Sequence, residues 1–232
     1  MGFPVDVYEK KGYSLMRQRK VKNLEEKVSH YDEYIVDATD DIRGEWKSVF
    51  GNENNIYLEI GSGKGSFLIR QAERRPDGNH IGFEGQPSVF FRALQKLDPS
   101  SMAGNIRFVN RFVNFPEALF SQGEVSGIYL NFSDPWPKKG HTHRRLTNKR
   151  YLEGYRKILN RGGFLEFKTD NDDFFTFTEN IVRNEFTGVF EISEMTTDLH
   201  SSGFDARNVT TEYEEKFTRK GKSINYIKLI AL

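Results

Sequence analysis

The sequence predicts an α/β fold: a mostly parallel, doubly wound sheet of seven strands with helices on both faces. Three observations predict it. From Asn55 onward, short apolar runs alternate with segments of helical period. The first run ends in a glycine-rich turn that opens a helix. Acidic residues and a proline-stiffened loop stand at the ends of these runs, where sheets of this class bind their ligands.

Each element follows from local pattern. Ile56–Ile60 is an apolar run closed by glycines and reads as a buried strand; Ser66–Arg75 has helical character and stops before Pro76. His80–Phe83 is a second strand and Ser88–Leu97 a second helix, ended by Pro99. Ile106–Val109 and Gly127–Phe132 are the third and fourth strands. Thr147–Leu159 is predicted helical, with Gly162-Gly163 as its C-cap, and Phe164–Thr169 is the fifth strand. A helix over Asp173–Asn184 and strands over Phe190–Glu194 and Tyr226–Leu232 complete the set. Residues 1–50 show weak periodicity and read as a basic N-terminal arm and lead-in region before a single domain over 51–232. Residues 1–15 read as an upstream extension, with Met16 as an alternative start.

Composition narrows the class. The chain has 232 residues and 37% hydrophobic content, enough for one core of ordinary size. No stretch approaches the ~20 apolar residues of a membrane span, so no membrane partner is expected. Cysteine is absent, which fits a reducing, cytoplasmic setting and excludes disulfides, thiolate metal sites and a Cys nucleophile. Net charge is only +1, but Lys10–Lys22 and Lys138–Arg150 each hold six Lys/Arg and no acid. Either run alone reads equally as solvated surface; together they point to a polyanionic partner.

The strand ends carry the chemistry. Glu59-Ile60-Gly61-Ser62-Gly63-Lys64-Gly65 is neither the dinucleotide fingerprint nor a Walker A loop. An acid two positions before Gly61 would repel a pyrophosphate but suits a cation such as S-adenosylmethionine, which carries a sulfonium and an ammonium group. A ligand-free strand-to-helix turn is the plainer alternative. Glu84 ends the second strand, where a carboxylate accepts both hydroxyls of a ribose. Asn131–Lys139 holds two prolines around Trp136, a stiff loop with Asp134 placed toward the cofactor's methyl. Trp136 either packs under the loop or stacks on a base, with packing favoured. His141 and His143 have H-x-H spacing without a further ligand cluster, so no metal is expected and an RNA-facing loop is preferred.

These segments, with Arg144–Thr147, Phe167–Asn171 and Thr211–Phe217, resemble the bacterial tRNA (guanine-N(7)-)-methyltransferase family over roughly Arg17 to the C-terminus. The resemblance implies a Rossmann-like S-adenosylmethionine-dependent methyltransferase fold that methylates N(7) of a guanine in the variable loop of tRNA. Glu59, Gly61, Gly63, Glu84 and Asp134 match its cofactor positions, and Asp134 its catalytic acid. Lys138, Asp170, Thr211, Glu212, Tyr213 and Glu214 match its substrate site, and Lys139, His143, Arg144 and Arg145 its RNA-contacting segment. The family usually places an acid near the adenine after the third strand; here Phe112 stands there, and a phenyl ring accepts no hydrogen bond from the adenine amino group. Gly85-Gln86-Pro87 is a second departure. The state is expected to be monomer or homodimer.

The target atom agrees with the residues. Ring N(7) of guanine has an in-plane lone pair and no proton, so methylation there needs no general base. Carboxylates at Asp134 or Asp170 would follow positive charge developing on the base, and Glu212 and Glu214 could accept from its Watson–Crick edge. Thr211 is placed to cap a helix starting at Glu212. An adenine amino-methyltransferase would carry an Asp/Asn-Pro-Pro-aromatic loop, an order that Asp134-Pro135-Trp136-Pro137 inverts. Pyrimidine carbon-5 methylation normally needs a Cys. A non-catalytic RNA-binding protein that lost its cofactor is the reading from another class, supported only by Phe112.

Overall fold

In the computed structural model, which describes residues 23–97 and 104–232, the apolar runs become seven strands. They are β1 (Asn55–Ile60), β2 (Gly78–Phe83), β3 (Ile106–Val109), β4 (Val125–Asn131), β5 (Leu159–Thr169), β6 (Phe190–Thr196) and β7 (Asn225–Ala231). They form one sheet in the order β3-β2-β1-β4-β5-β7-β6. The pairs β1–β2, β1–β4, β2–β3 and β4–β5 are parallel, and β7 runs antiparallel to both β5 and β6. Strand order reverses between β1 and β4, which opens a crevice beyond their carboxyl ends.

The helices are α1 (Leu24–Val28), α2 (Trp46–Phe50), α3 (Ser66–Arg74), α4 (Pro87–Leu94), α5 (Lys149–Ile158), α6 (Asp172–Glu185) and α7 (Glu212–Thr218). Strand period 2 sorts them into layers. Ile56, Leu58, Ile128, Leu130, Leu165 and Phe167 share one buried cluster with side chains of α2, α5 and α6. The alternate residues Tyr57, Tyr129 and Phe164 meet Phe67 on the other face, and α3 and α4 pack against Ile106 and Phe108. Both faces are therefore covered, as parallel strands require.

Three details depart from the sequence reading. First, α5 ends at Ile158 and the chain passes directly into β5. Gly162-Gly163 are not its C-cap: they belong to a four-residue excursion, Asn160–Gly163, that faces the single residue Ser126 in the β4–β5 register. Gly162 supplies the positive φ that this excursion needs. Second, α4 stops at Leu94 instead of Leu97. Third, packing crosses the expected boundary at residue 50. Trp46 is fully buried, stacks on Phe120 at 5.1 Å and donates its Nε1–H to the Leu119 carbonyl at 2.8 Å. The basic run Lys10–Lys22 lies outside the described residues.

Candidate active site

The site is assembled at the carboxyl ends of β1, β2, β4 and β5. Glu59 in β1 is buried, and its register partner on β4 is Tyr129. Two residues further along β4, Asn131 Nδ2 donates to Glu59 Oε1 at 2.9 Å. Glu59 Oε2 is buried and has no hydrogen-bond partner. Burial pushes the Glu59 carboxyl up to about 8, against the opposing pull of the Asn131 bond and the Lys168 charge. A buried acceptor without a donor is costly, and at a switch point it marks where a cationic group would be received. Ser62 Oγ, in the following turn, is likewise buried and unpartnered.

The turn after β1 keeps the space above it open. Gly61 (φ +82°) and Gly63 (φ +57°) adopt left-handed backbone, and nothing lies within 4 Å of where a Cβ would stand on either. The turn is tied to β2: the Gly61 and Ser62 N–H groups donate to the Phe83 carbonyl, and Gly63 N–H donates to Glu84 Oε2 at 3.1 Å. Glu84 Oε1 accepts from Gln86 N–H at 2.7 Å.

The loop after β4 is held under strain. Phe132 (φ +51°) and Trp136 (φ +40°) are bulky residues in left-handed backbone, a cost of roughly 1–3 kcal/mol each. Arg145 holds the loop from below. Its Nε donates to the Pro135 carbonyl at 2.8 Å and its Nη2 to the Trp136 carbonyl at 3.3 Å, and the guanidinium lies over Phe177 at 4.3 Å. With 6% exposure, Arg145 is not placed to meet phosphate as expected; it is a structural clamp on the loop. Asp134, Lys138, Lys139, His143 and Arg144 are exposed. Trp136 is half-buried, with the Arg144 guanidinium over its ring at 4.9 Å, so packing and exposure both apply to it.

The last part comes from β5 and α7. Asp170, just past β5, accepts from the Tyr213 hydroxyl at 3.2 Å. Burial and the Asp170 carboxylate push the Tyr213 hydroxyl up to about 12, so it stays a donor. Tyr213 also packs against Phe132 at 4.9 Å, which joins α7 to the β4 loop. Thr211 caps α7 as expected: its Oγ1 accepts from Glu214 N–H at 2.9 Å, and Glu214 returns a bond to Thr211 N–H.

Glu214 itself is not exposed to a base edge. It is fully buried and paired with Lys168, which also donates to the carbonyls of Ala206 (2.7 Å) and Val209 (2.9 Å). Glu212 is exposed but occupied by Lys64, Lys96 and Ser66. Burial opposes its ionisation, but these donors outweigh that and hold its carboxyl down at about 2. The helix that carries the expected substrate residues is thus anchored to the glycine turn.

The sequence reading missed Asn131 as the Glu59 partner and Lys168 as the Glu214 partner. Parallel register supplies the first: Asn131 stands two residues past the partner of Glu59, on the same face. Nothing local announces the second, because the two residues lie 46 positions apart.

Among the described residues, no three His, Asp or Glu side chains group as a metal site would need, and no helix is long and apolar enough to cross a membrane.

Comparison with known proteins bears on the family and the fold. Residues 53–227 match the family model Methyltransf_4, described as "Putative methyltransferase". The chain is 42% identical to a tRNA (guanine-N(7)-)-methyltransferase of Geobacillus sp. (strain WCH70), over 90% of this chain and 93% of the relative. It is 43% identical to the enzyme of that name from Streptococcus uberis, over 90% and 97%. The chain belongs to the tRNA (guanine-N(7)-)-methyltransferase family. Solved structures extend the fold beyond it. A 16S rRNA (adenine(1408)-N(1))-methyltransferase from Catenulisporales acidiphilia superposes with a TM-score of 0.57 at 16% identity, covering 85% of this chain and 95% of that one. An antibiotic-related methyltransferase superposes with a TM-score of 0.62 at 16% identity, covering 86% and 96%. At such identities the likeness shows the Rossmann-like methyltransferase fold alone. Within the family, the strand-end acids and the strained loop of this member occupy the crevice described above.

Proposed function

We propose that this protein transfers the methyl group of S-adenosylmethionine to ring N(7) of a guanine in the variable loop of tRNA, in the cytoplasm. The observation that carries the reading is the crevice between β1 and β4: a buried Glu59 with an unpartnered oxygen faces an open glycine turn, beside a clamped loop that presents Asp134. The residues fit the cofactor. Glu59 and Ser62 offer buried polar atoms, Gly61 and Gly63 leave room for close approach, and the Glu84 carboxylate stands beside that turn, bonded to Gly63 N–H. A structural neighbour at 15% identity was solved with S-adenosylmethionine as cosubstrate, which agrees with this assignment.

When bound, S-adenosylmethionine supplies an electrophilic methyl on a sulfonium centre. The chain's own residues bind and orient. Ring N(7) presents a lone pair without a proton, so no side chain acts as base. Holding the reactants in line is worth several kcal/mol, about 7–11 in well-oriented model reactions. As N(7) is alkylated, positive charge collects on the imidazole ring, and the carboxylates of Asp134 and Asp170 are the groups that stabilise it. Tyr213, fixed by Asp170 and Phe132, forms one wall of the base site. Lys138, Lys139, His143 and Arg144 meet the tRNA backbone, which supplies affinity and salt dependence but not sequence choice.

The test is transfer of labelled methyl from S-adenosylmethionine to unmodified bulk tRNA, with the product mapped by borohydride–aniline cleavage at N(7)-methylguanosine. Cleavage at one variable-loop guanosine is expected. Label confined to adenosine would overturn the guanine assignment, and absence of cofactor binding by calorimetry would overturn the enzyme assignment.

A further inference from the structure

We propose that the exposed face of Phe112 is the platform on which the cofactor's adenine stacks, so this family member selects the base by its planarity and not by its exocyclic amino group. The proposal rests on the reading of the crevice as an S-adenosylmethionine site. Phe112 lies three residues past the end of β3, on the carboxyl edge beside β2. The residue is 58% exposed, so it offers apolar surface that a planar group can cover.

The ring is nonetheless seated firmly against the ribose end of the site. Asn110 Nδ2 donates to the Glu84 carbonyl at 2.7 Å, and Arg111 Nη1 donates to the Ala38 carbonyl at 2.7 Å, so the backbone on the N-terminal side of Phe112 is fixed to β2 and to the lead-in segment. A Cβ built on Gly85 would lie 2.4 Å from Cδ1, Cδ2 and Cε1 of Phe112 alike. Equal distances to three ring atoms mean that Gly85 points at the face of the ring, not at its edge. One face of Phe112 therefore rests on the backbone next to Glu84, and only a glycine there leaves room for it. The opposite face is the exposed one. An adenosine whose ribose hydroxyls are held by Glu84 would bring its base beside that face.

Stacking fits this geometry and hydrogen bonding does not. A phenyl ring has no lone pair for the adenine amino group. Base–aromatic stacking depends on the π-face, which every purine has, so it tolerates a change of exocyclic group. The two departures from the family pattern, Phe112 and Gly85, are then one device: the glycine admits the ring and the ring replaces the acid. A tRNA base is the other planar group that could cover Phe112. The contact with Gly85, directly after the carboxylate assigned to the ribose, favours the cofactor.

The experiment is calorimetric binding of S-adenosylhomocysteine to the whole protein without tRNA, together with its inosine analogue. Phe112→Ala is expected to weaken binding about tenfold, the scale of one base–aromatic stack. Phe112→Trp retains affinity, and Gly85→Ala weakens binding by displacing the ring. The parent binds the adenosine and inosine compounds with similar affinity, whereas Phe112→Asp prefers adenosine. Because Phe112 is exposed, the Phe112 variants are expected to unfold at the parent temperature by circular dichroism. Unchanged or tighter binding by Phe112→Ala would overturn the proposal, as would an effect confined to the KM for tRNA. So would strong discrimination against inosine by the parent. Failure of the parent to bind S-adenosylhomocysteine would overturn the underlying cofactor reading as well, and so is distinguishable.

Discussion

Replacing Lys168 by Met should destabilise the protein by about 3–5 kcal/mol, because it takes the ammonium from the buried Glu214 carboxylate and leaves it the His200 imidazole (3.1 Å) and the Thr211 N–H. The magnitude follows from geometry. Lys168 is 1% exposed and Glu214 0%, and their closest approach is 3.2 Å. At an effective dielectric of about 20, two unit charges at that distance attract by about 5 kcal/mol. Burial lowers the Lys168 ammonium from its ordinary range, and the Glu214 charge opposes that shift. The substitution also strips a donor from the carbonyls of Ala206 and Val209. For a domain of this size the loss corresponds to roughly 6–20 °C in Tm. The decisive comparison is the double variant Lys168→Met/Glu214→Leu. Removing both charges leaves the two carbonyls, the His200 imidazole and the lost half of the capping box, so its cost should be under about 3 kcal/mol, below that of Lys168→Met alone. Urea unfolding at pH 7 on the parent, both singles and the double gives the coupling energy directly. Strictly additive costs would refute the claim that the pair acts as a buried unit. A Lys168→Met cost below 1 kcal/mol would refute the claim that it is load-carrying for α7.

Three further outcomes are expected. Asp134→Ala should abolish methyl transfer while leaving the unfolding transition in place, since Asp134 is exposed; near-parent turnover would remove it from the chemistry. Arg145→Ala should cost roughly 2 kcal/mol of stability and lower turnover by loosening the Asp134 loop, whereas Arg144→Ala should weaken tRNA binding and reduce its salt slope by about one; the reverse pattern in a filter-binding salt titration would refute the split. Glu59 gives a pH signature. Its folded pKa of about 8 lies above the unfolded value, so the stability it contributes is complete below about pH 4.5 and is lost as pH rises to 8. The parent should therefore lose stability over that window relative to Glu59→Gln, and cofactor binding at pH 7 should release a proton; identical pH slopes in the two proteins, measured by thermal unfolding, would contradict the assignment.

The placement of strand-end residues was legible in the sequence because local pattern determines it. The apolar run Ile56–Ile60, closed by three alternating glycines, can hardly form anything but a strand leading into a turn, and short apolar runs likewise lead up to Glu84 and to the proline-stiffened loop that holds Asp134. The Thr211 cap was legible for a similar reason: the Thr-x-x-Glu spacing of a capping box is contained within four residues. The end of α5 was not, because Gly162-Gly163 has the composition of a C-cap, and only pairing with β4 reveals it as a strand excursion.

What the sequence determined by itself is the element order, the chemistry at each strand end and the class of ligand that chemistry suits. Those are properties of residue type and period over short spans. Only the tertiary structure decided which candidates are available. Arg145 and Glu214 have the composition of RNA- and base-contacting residues, yet one is sealed beneath the Pro135–Trp136 turn and the other against Lys168. Whether a charged side chain faces solvent or a distant partner depends on the folding of chain segments tens of residues away, and no local period records it. Phe112 has the same lesson in reverse: alone it is a misplaced aromatic, and seated on Gly85 it becomes a surface with one face left to bind.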